Sequence, residues 1–212
     1  MSLPVASIED VVFDVVDTLR LPVLIAALLA LAFVIVELGA LGAEVRRRRR
    51  RDTDTLERAA VAARQALAAS DRGQAADRLR AAAPSTAIEH VVILLLSHVG
   101  QPGAENRIAK SLADFDLASL RRLERTRLLV RAGPALGLMG TLIPLSPALD
   151  GLARGDVDQL SDNLRVAFSI TVLGLLIGAI AFGISLVRDR LYAQDLSDLE
   201  FIAATLTDPL VT

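Results

Sequence analysis

Residues 133–149, GPALGLMGTLIPLSPAL, and residues 166–187, VAFSITVLGLLIGAIAFGISLV, are two apolar stretches joined by a short polar segment. With their flanking residues, both are long enough to cross a bilayer, which requires about 20 apolar residues in a helix. Small residues recur along both stretches, and small residues let helix backbones approach closely in lipid. Thr141 and Thr171 place hydroxyl groups where polar groups are costly, so this pair of stretches is the first candidate for a functional site.

The remaining composition is typical of an integral membrane protein with a sizeable aqueous part. The chain has 212 residues, of which 53% are hydrophobic and 23% are charged, and its net charge of −2 does not indicate nucleic-acid binding. The absence of cysteine excludes disulfides and thiolate metal sites. His90 and His98 have no carboxylates at metal-ligand spacing, and no nucleotide-binding or hydrolase motif occurs. The sequence therefore predicts no metal, no cofactor and no enzyme.

Hydropathy and arginine clustering predict three transmembrane helices, the last two extended into a cytoplasmic helical part. Arg46–Arg51 is an unbroken arginine run after the first apolar span, and further clusters lie at 121–131 and 188–190. By the positive-inside rule these ends are cytoplasmic, so we expect an all-α, multi-pass protein of the cell membrane with its N-terminus outside and its C-terminus in the cytoplasm. The expected segments are an amphipathic outer-face helix at 1–20, transmembrane helices at 21–45, 128–152 and 164–188, a cytoplasmic helical segment at 46–127, an outer loop at 153–163 and a cytoplasmic C-terminal helix at 189–212.

The small and hydroxyl residues of the last two spans have two interpretations. Several copies could line a narrow axial passage with them, or two helices could simply pack closely, with each threonine hydroxyl bonded back to the i−4 carbonyl. Spacing alone favours packing, and Gly174–Gly178 is a GxxxG helix-contact motif. The residues near one stripe are Pro134, Gly137, Thr141 and Ala148 on the second span, and Ala167, Thr171, Gly174, Gly178, Ala181 and Ser185 on the third.

Glu37 is the acid that we expect well inside a predicted span. An intramembrane carboxylate is a functional candidate by default. Because Glu37 lies nearer the arginine-bearing end, snorkelling or pairing with Arg46 or Arg47 is the favoured interpretation. The second and third spans contain no ionisable residue at depth, so this chain lacks a central titrating group of its own.

The segments GPALGLMGT and SITVLGLLIG resemble the MotA/TolQ/ExbB proton channel family. The order of elements is also similar, with one span, a large cytoplasmic segment and then two spans close together. Members show a Pro and Gly run that ends in Gly-Thr in the penultimate span, and a Thr followed by small residues in the last. The matching residues are Pro134, Gly137, Gly140 and Thr141 in the first motif, and Thr171, Gly174 and Gly178 in the second.

The resemblance implies a stator-like subunit that forms a homopentamer around a central pore lined by the last two spans. Inside the pore it implies a small single-span partner, of the ExbD/TolR/MotB type, that carries a membrane Asp. Thr141 and Thr171 would face that carboxylate, and proton flow would power mechanical work. Members of the ExbB and TolQ types carry a Glu about one turn before the last-span Thr, whereas this chain has Arg165, Val166 and Ala167, which implies a different proton entry. A non-conducting structural membrane scaffold is the alternative, and sodium is the alternative ion.

Overall fold

A computed structural model describes residues 5–48 and 53–208, and nearly all of these residues are helical. The predicted all-α fold is confirmed. Three of the helices, α2, α6 and α7, are long and apolar enough to cross a membrane, which agrees with the three predicted spans. The helices of the described ranges are α1 (Val5–Thr18), α2 (Arg20–Arg48), α3 (Thr53–Ala68), α4 (Arg72–Ala82), α5 (Thr86–His98), α6 (Ala104–Ala153) and α7 (Val157–Thr207).

The connections between α1 and α2 and between α6 and α7 are both short. Only Leu19 separates α1 from α2, and its backbone carbonyl still accepts a hydrogen bond from the Val23 amide at 3.0 Å. Where an outer loop was predicted at 153–163, only residues 154–156 connect α6 to α7. Gly155 makes this turn possible because its φ of +76° suits glycine. The Asp156 carboxylate then accepts a hydrogen bond from the Gln159 amide at 2.9 Å, so the polar residues that follow form the first turn of α7 rather than a loop.

The chain divides into two compact units. Unit 1 comprises Met1–Gly39 and Arg125–Ser185, and unit 2 comprises Ala40–Glu124 and Leu186–Thr212. The helices α2, α6 and α7 contribute residues to both units. Unit 1 contains most of the apolar length of these three helices, and unit 2 contains α3, α4 and α5.

Unit 2 is built around a core of aliphatic side chains. The helix α5 packs into this core through one apolar face. The Ser85 hydroxyl starts α5 by accepting a hydrogen bond from the Ile88 amide at 3.3 Å. The fully buried large side chains of this core are Leu79, Ile88, Val92, Leu95, Leu199 and Ile202.

Candidate functional site

In unit 1, α6 and α7 approach each other to backbone contact through four glycines. A Cβ atom built on Gly174 would lie 2.5 Å from the Gly133 carbonyl oxygen and 2.7 Å from the Gly137 Cα. A Cβ built on Gly133 would lie 2.7 Å from the Gly174 carbonyl oxygen and 2.8 Å from the Gly178 nitrogen. Any side chain at these positions would therefore push the helices apart. We call Gly133, Gly137, Gly174 and Gly178 the glycine seam.

The glycine seam pairs two GxxxG motifs, one on each helix. Sequence reasoning recognised Gly174–Gly178 but did not assign Gly133 to the contact, although Gly133 and Gly137 have the same four-residue spacing. Two further predicted residues lie at this contact. Ring atoms of Pro134 lie 2.9 and 3.0 Å from the Cβ position of Gly178, and a Cβ on Gly140 would collide with the side chain of Ile170. The small residues thus bring α6 and α7 together within one chain.

Thr171 lies beside the glycine seam and joins the two helices. Its hydroxyl oxygen lies 3.1 Å from the Ala167 carbonyl oxygen on its own helix and 3.3 Å from the Gly137 carbonyl oxygen on α6, so the two carbonyls share one donated proton. The side chain is half-buried. The bond to Ala167 is the i−4 pattern that the packing interpretation predicted. Because the donor is used inward, the lone pairs of the oxygen remain able to accept a hydrogen bond from another group.

Thr141 lies about one helical turn beyond Gly137, the residue of α6 to which the Thr171 hydroxyl donates. Gly140 of α6 faces Ile170 of α7, and these residues precede the two threonines directly. The Thr141 hydroxyl donates to the Leu138 carbonyl at 2.7 Å and is half-buried. Each threonine hydroxyl therefore donates to a backbone carbonyl rather than to the other threonine. The two hydroxyls thus lie about one turn apart along the helix pair, with oxygen lone pairs available for a third group.

Glu37, the predicted intramembrane acid, is half-buried on α2. It lies in unit 1 with the threonines. Both threonine hydroxyls donate to backbone carbonyls, so neither donates to the Glu37 carboxylate. The role of Glu37 in a proton path therefore stays a prediction.

A cavity of about 380 Å³ lies between α1 and the part of α6 that follows Ile143. Three carboxylates line it, those of Asp14 and Asp17 on α1 and of Asp150 on α6, together with Ser146. Sequence reasoning predicted an amphipathic helix at 1–20 and did not connect its acidic residues with α6. A 3.6-residue periodicity identifies faces of one helix but does not identify which distant helix a face meets.

Sequence reasoning also missed an ionic cluster in unit 2. The Arg48 guanidinium donates two hydrogen bonds to the Asp195 carboxylate, at 2.5 and 2.7 Å, and one to Glu44 at 3.1 Å. Asp195 is 4% exposed, and burial raises the pKa of its carboxyl, while the hydrogen bonds from Arg48 offset part of that effect. The cluster joins α2 to α7 across 147 residues of sequence, a distance at which no local pattern operates.

Three long apolar helices with a glycine-packed pair define a multi-pass membrane protein. The sequence model of the MotA/TolQ/ExbB proton channel family matches residues 96–199, a range that contains the glycine seam and both threonines. Over these residues the chain matches this family, which is a family of proton channels and not of enzymes. No curated protein matches the chain significantly.

Proposed function

We propose that the chain is the pore-forming subunit of a membrane motor driven by the proton-motive force. Copies of the chain, expected as a homopentamer, conduct protons together with a small single-span partner that carries a membrane Asp. Proton flow then powers mechanical work by the complex. The match to the model of a proton channel family supports conduction, and the family resemblance implies a partner of the ExbD/TolR/MotB type. The single observation that carries the assignment of residues is the position of Thr171 on the glycine seam, where its hydroxyl donates to the Gly137 carbonyl about one turn from Thr141.

Threonine hydroxyls do not titrate near neutral pH, so the proton carrier is the carboxylate of the partner. The hydroxyls supply positioning: an oxygen whose proton is already donated to a carbonyl accepts a hydrogen bond from a protonated carboxyl group or from water. Thr171 meets this condition because its proton is shared by the Ala167 and Gly137 carbonyls. Rigid backbone contact at the seam keeps this oxygen in a fixed position, which favours repeated proton transfer at one site.

The acid-lined cavity supports an entry route at the α1 end of unit 1. Negative potential in a concave surface concentrates cations from solution. Asp14, Asp17 and Asp150 supply that potential. By the positive-inside rule this end faces the outside, since the arginine run lies at the opposite end of α2. The cavity would therefore supply the entry for which this chain lacks the Glu of the ExbB and TolQ types.

Proton flux in vesicles tests the proposal. The full chain and its single-span partner are reconstituted, an inward pH gradient and a valinomycin-clamped potential are applied, and acidification is followed with an internal dye. Replacing both hydroxyls without loss of volume, in Thr141→Val with Thr171→Val, is expected to lower the flux about tenfold or more. Thr207→Val is the matched control, because its hydroxyl also bonds to an i−4 carbonyl on α7, at 2.8 Å, but lies outside the apolar span.

The pentamer has its own test, the mass of the detergent-solubilised complex by native mass spectrometry. Five copies of the chain with a smaller number of partner chains is the expected composition. A monomer that binds no single-span protein would contradict the proposal. Unchanged flux in the double variant, with normal assembly, would contradict the assignment of the threonines.

A structural scaffold that conducts no ions is the second candidate function. The observation that favours it is that both threonine hydroxyls are satisfied by carbonyls of α6 and α7, as in ordinary helix packing. The scaffold predicts that the reconstituted wild-type complex shows no more flux than empty vesicles. It also predicts that the double valine variant assembles and acts in the cell like the wild type.

A further inference from the structure

At the end of α2, Arg46 and Arg47 differ from Arg48 in their contacts. Arg48 is held by Asp195 and Glu44. Arg46 and Arg47 are exposed, and within residues 5–48 and 53–208 neither makes an ion pair or a hydrogen bond. Arg46 and Arg47 together line an open groove of about 500 Å³ with Gly42 and Ala43. Arg48 therefore stabilises the fold, whereas the charges of Arg46 and Arg47 are exposed.

Helix geometry explains why these four residues form a groove. Gly42 and Ala43 precede Arg46 and Arg47 by one turn each, and long side chains of a helix lie over the turn on their N-terminal side. The arginine side chains therefore extend back toward the apolar span, over two residues that have little or no side chain. A Cβ on Gly42 would meet no other atom within 4 Å, so the space beside the arginines is not used for packing within the chain.

The groove lies at the level at which a bilayer places its phosphates. The apolar span from Leu21 to Ala43 covers about 34 Å at 1.5 Å per residue, slightly more than the ~30 Å hydrocarbon core. Arg46 begins about 5 Å beyond Ala43, in the headgroup region. Guanidinium groups bind phosphate through paired hydrogen bonds.

We propose that Gly42, Ala43, Arg46 and Arg47 form a binding site for the headgroup of an anionic glycerophospholipid in the leaflet at this end of α2. The arginines bind the phosphate and the bare helix surface at Gly42 accommodates the glycerol. Charge complementarity and depth select this ligand. The inference is independent of proton conduction.

Lipid binding to the purified full chain tests the site. The chain in a neutral detergent is titrated with phosphatidylglycerol or with phosphatidylcholine, and bound lipids are counted by native mass spectrometry. Preferential binding of phosphatidylglycerol is expected for the wild type. Arg46→Gln with Arg47→Gln should weaken phosphatidylglycerol binding about tenfold or more, since each arginine near an anionic surface contributes about fivefold. Arg78→Gln with Arg80→Gln removes the same charge from exposed positions on α4 and should change nothing.

Gly42→Leu separates a shaped site from diffuse attraction, because it fills the groove and leaves every charge in place. This variant should weaken phosphatidylglycerol binding at least fivefold without loss of fold, given the open space around Gly42. If it binds like the wild type, the arginines act as a general basic surface and the site is refuted. Displacement of the lipid by equimolar inorganic phosphate would assign the groove to a free anion instead. Failure of the wild type to prefer phosphatidylglycerol would also overturn the proposal. So would a neighbouring copy of the chain, or an acidic segment of the partner, found on the groove in place of lipid.

Discussion

Packing inside unit 1 and packing inside unit 2 use side-chain volume in opposite ways. The core of unit 2 consists of large aliphatic side chains, among them Leu95, Leu199 and Ile202, that are fully buried. The seam of unit 1 consists of glycines whose backbones are in contact. Water drives the first kind of packing through the hydrophobic effect, whereas in lipid that force is absent and close backbone approach replaces it. Unit 2 should therefore be destabilised when a core side chain is made smaller, and unit 1 when a residue of the glycine seam is made larger.

Removing volume from the core of unit 2 should have the largest effect on stability. Leu199→Ala is expected to lower the free energy of unfolding by about 2–5 kcal/mol, because it removes buried methyl groups and leaves a cavity. Thermal unfolding followed by circular dichroism at 222 nm in detergent measures the loss. Leu117→Ala is the control, since Leu117 is 49% exposed. Equal losses in the two variants would show that the core is not the source of stability in unit 2.

Adding volume to the seam of unit 1 should have the next largest effect. Gly174→Ala is expected to cost about 1–3 kcal/mol, because its methyl group would collide with backbone atoms of Gly133 and Gly137 that cannot rotate away. Gly183→Ala on the same helix meets no atom within 4 Å and should gain up to about 1 kcal/mol from helix propensity. The melting temperatures of the two variants should therefore shift in opposite directions. Shifts of the same sign would contradict backbone contact at the seam.

The ionic cluster of unit 2 should contribute less than the core beside it. Asp195→Asn keeps the shape of the side chain but removes its charge, and we expect a loss of about 1–2 kcal/mol. The loss is limited because burial already opposes the charged carboxylate and because Arg48 keeps Glu44. Asp114→Asn is the control: it removes an exposed i,i+4 pair with Lys110 and should cost less than about 0.5 kcal/mol. Denaturant titration measures the free energy of unfolding of both variants. Equal losses would show that burial of the Arg48–Asp195 pair does not increase its contribution.

The smallest expected effect is a gain in stability in unit 1. Thr126 is completely buried, and its hydroxyl has no hydrogen-bond partner among the described residues. Thr126→Val should therefore raise the free energy of unfolding by about 1 kcal/mol. Ser111→Ala should instead lower it by about 0.5–1 kcal/mol, since the buried Ser111 hydroxyl donates to the Arg107 carbonyl at 2.9 Å. Thermal unfolding of both variants shows whether each substitution raises or lowers the stability. A loss of stability in Thr126→Val would indicate a hydrogen bond to water or to another subunit.

The sequence was sufficient for the features that depend on neighbouring residues. Hydropathy located the three apolar helices, because each requires only a run of apolar residues along the chain. Hydropathy did not locate the helix ends within the polar segment 153–163, because a polar loop and a capped first turn of a helix have similar composition. Composition within a short window does not distinguish these two cases.

The features that the sequence did not predict depend on distant residues. The pairing of Arg48 with Asp195, and the lining of one cavity by Asp14 and Asp150, require that particular helices meet. The glycine motifs showed that α6 and α7 had contact surfaces but not which glycine meets which. In the same way, Thr171 could be placed on a stripe from its spacing, whereas its bond to Gly137 requires the packed pair.

The central claim is that the Thr171 hydroxyl acts in proton transfer and does not only hold α7 against α6. The most direct measurement is the proton flux of the reconstituted complex for the wild type, Thr171→Ser and Thr171→Val, at equal amounts of assembled complex. We predict that Thr171→Ser, which keeps the hydroxyl, retains most of the proton flux. Thr171→Val, which keeps the side-chain volume, should lower the flux about tenfold or more. Valine flux equal to that of the wild type would contradict the account and assign Thr171 to packing alone.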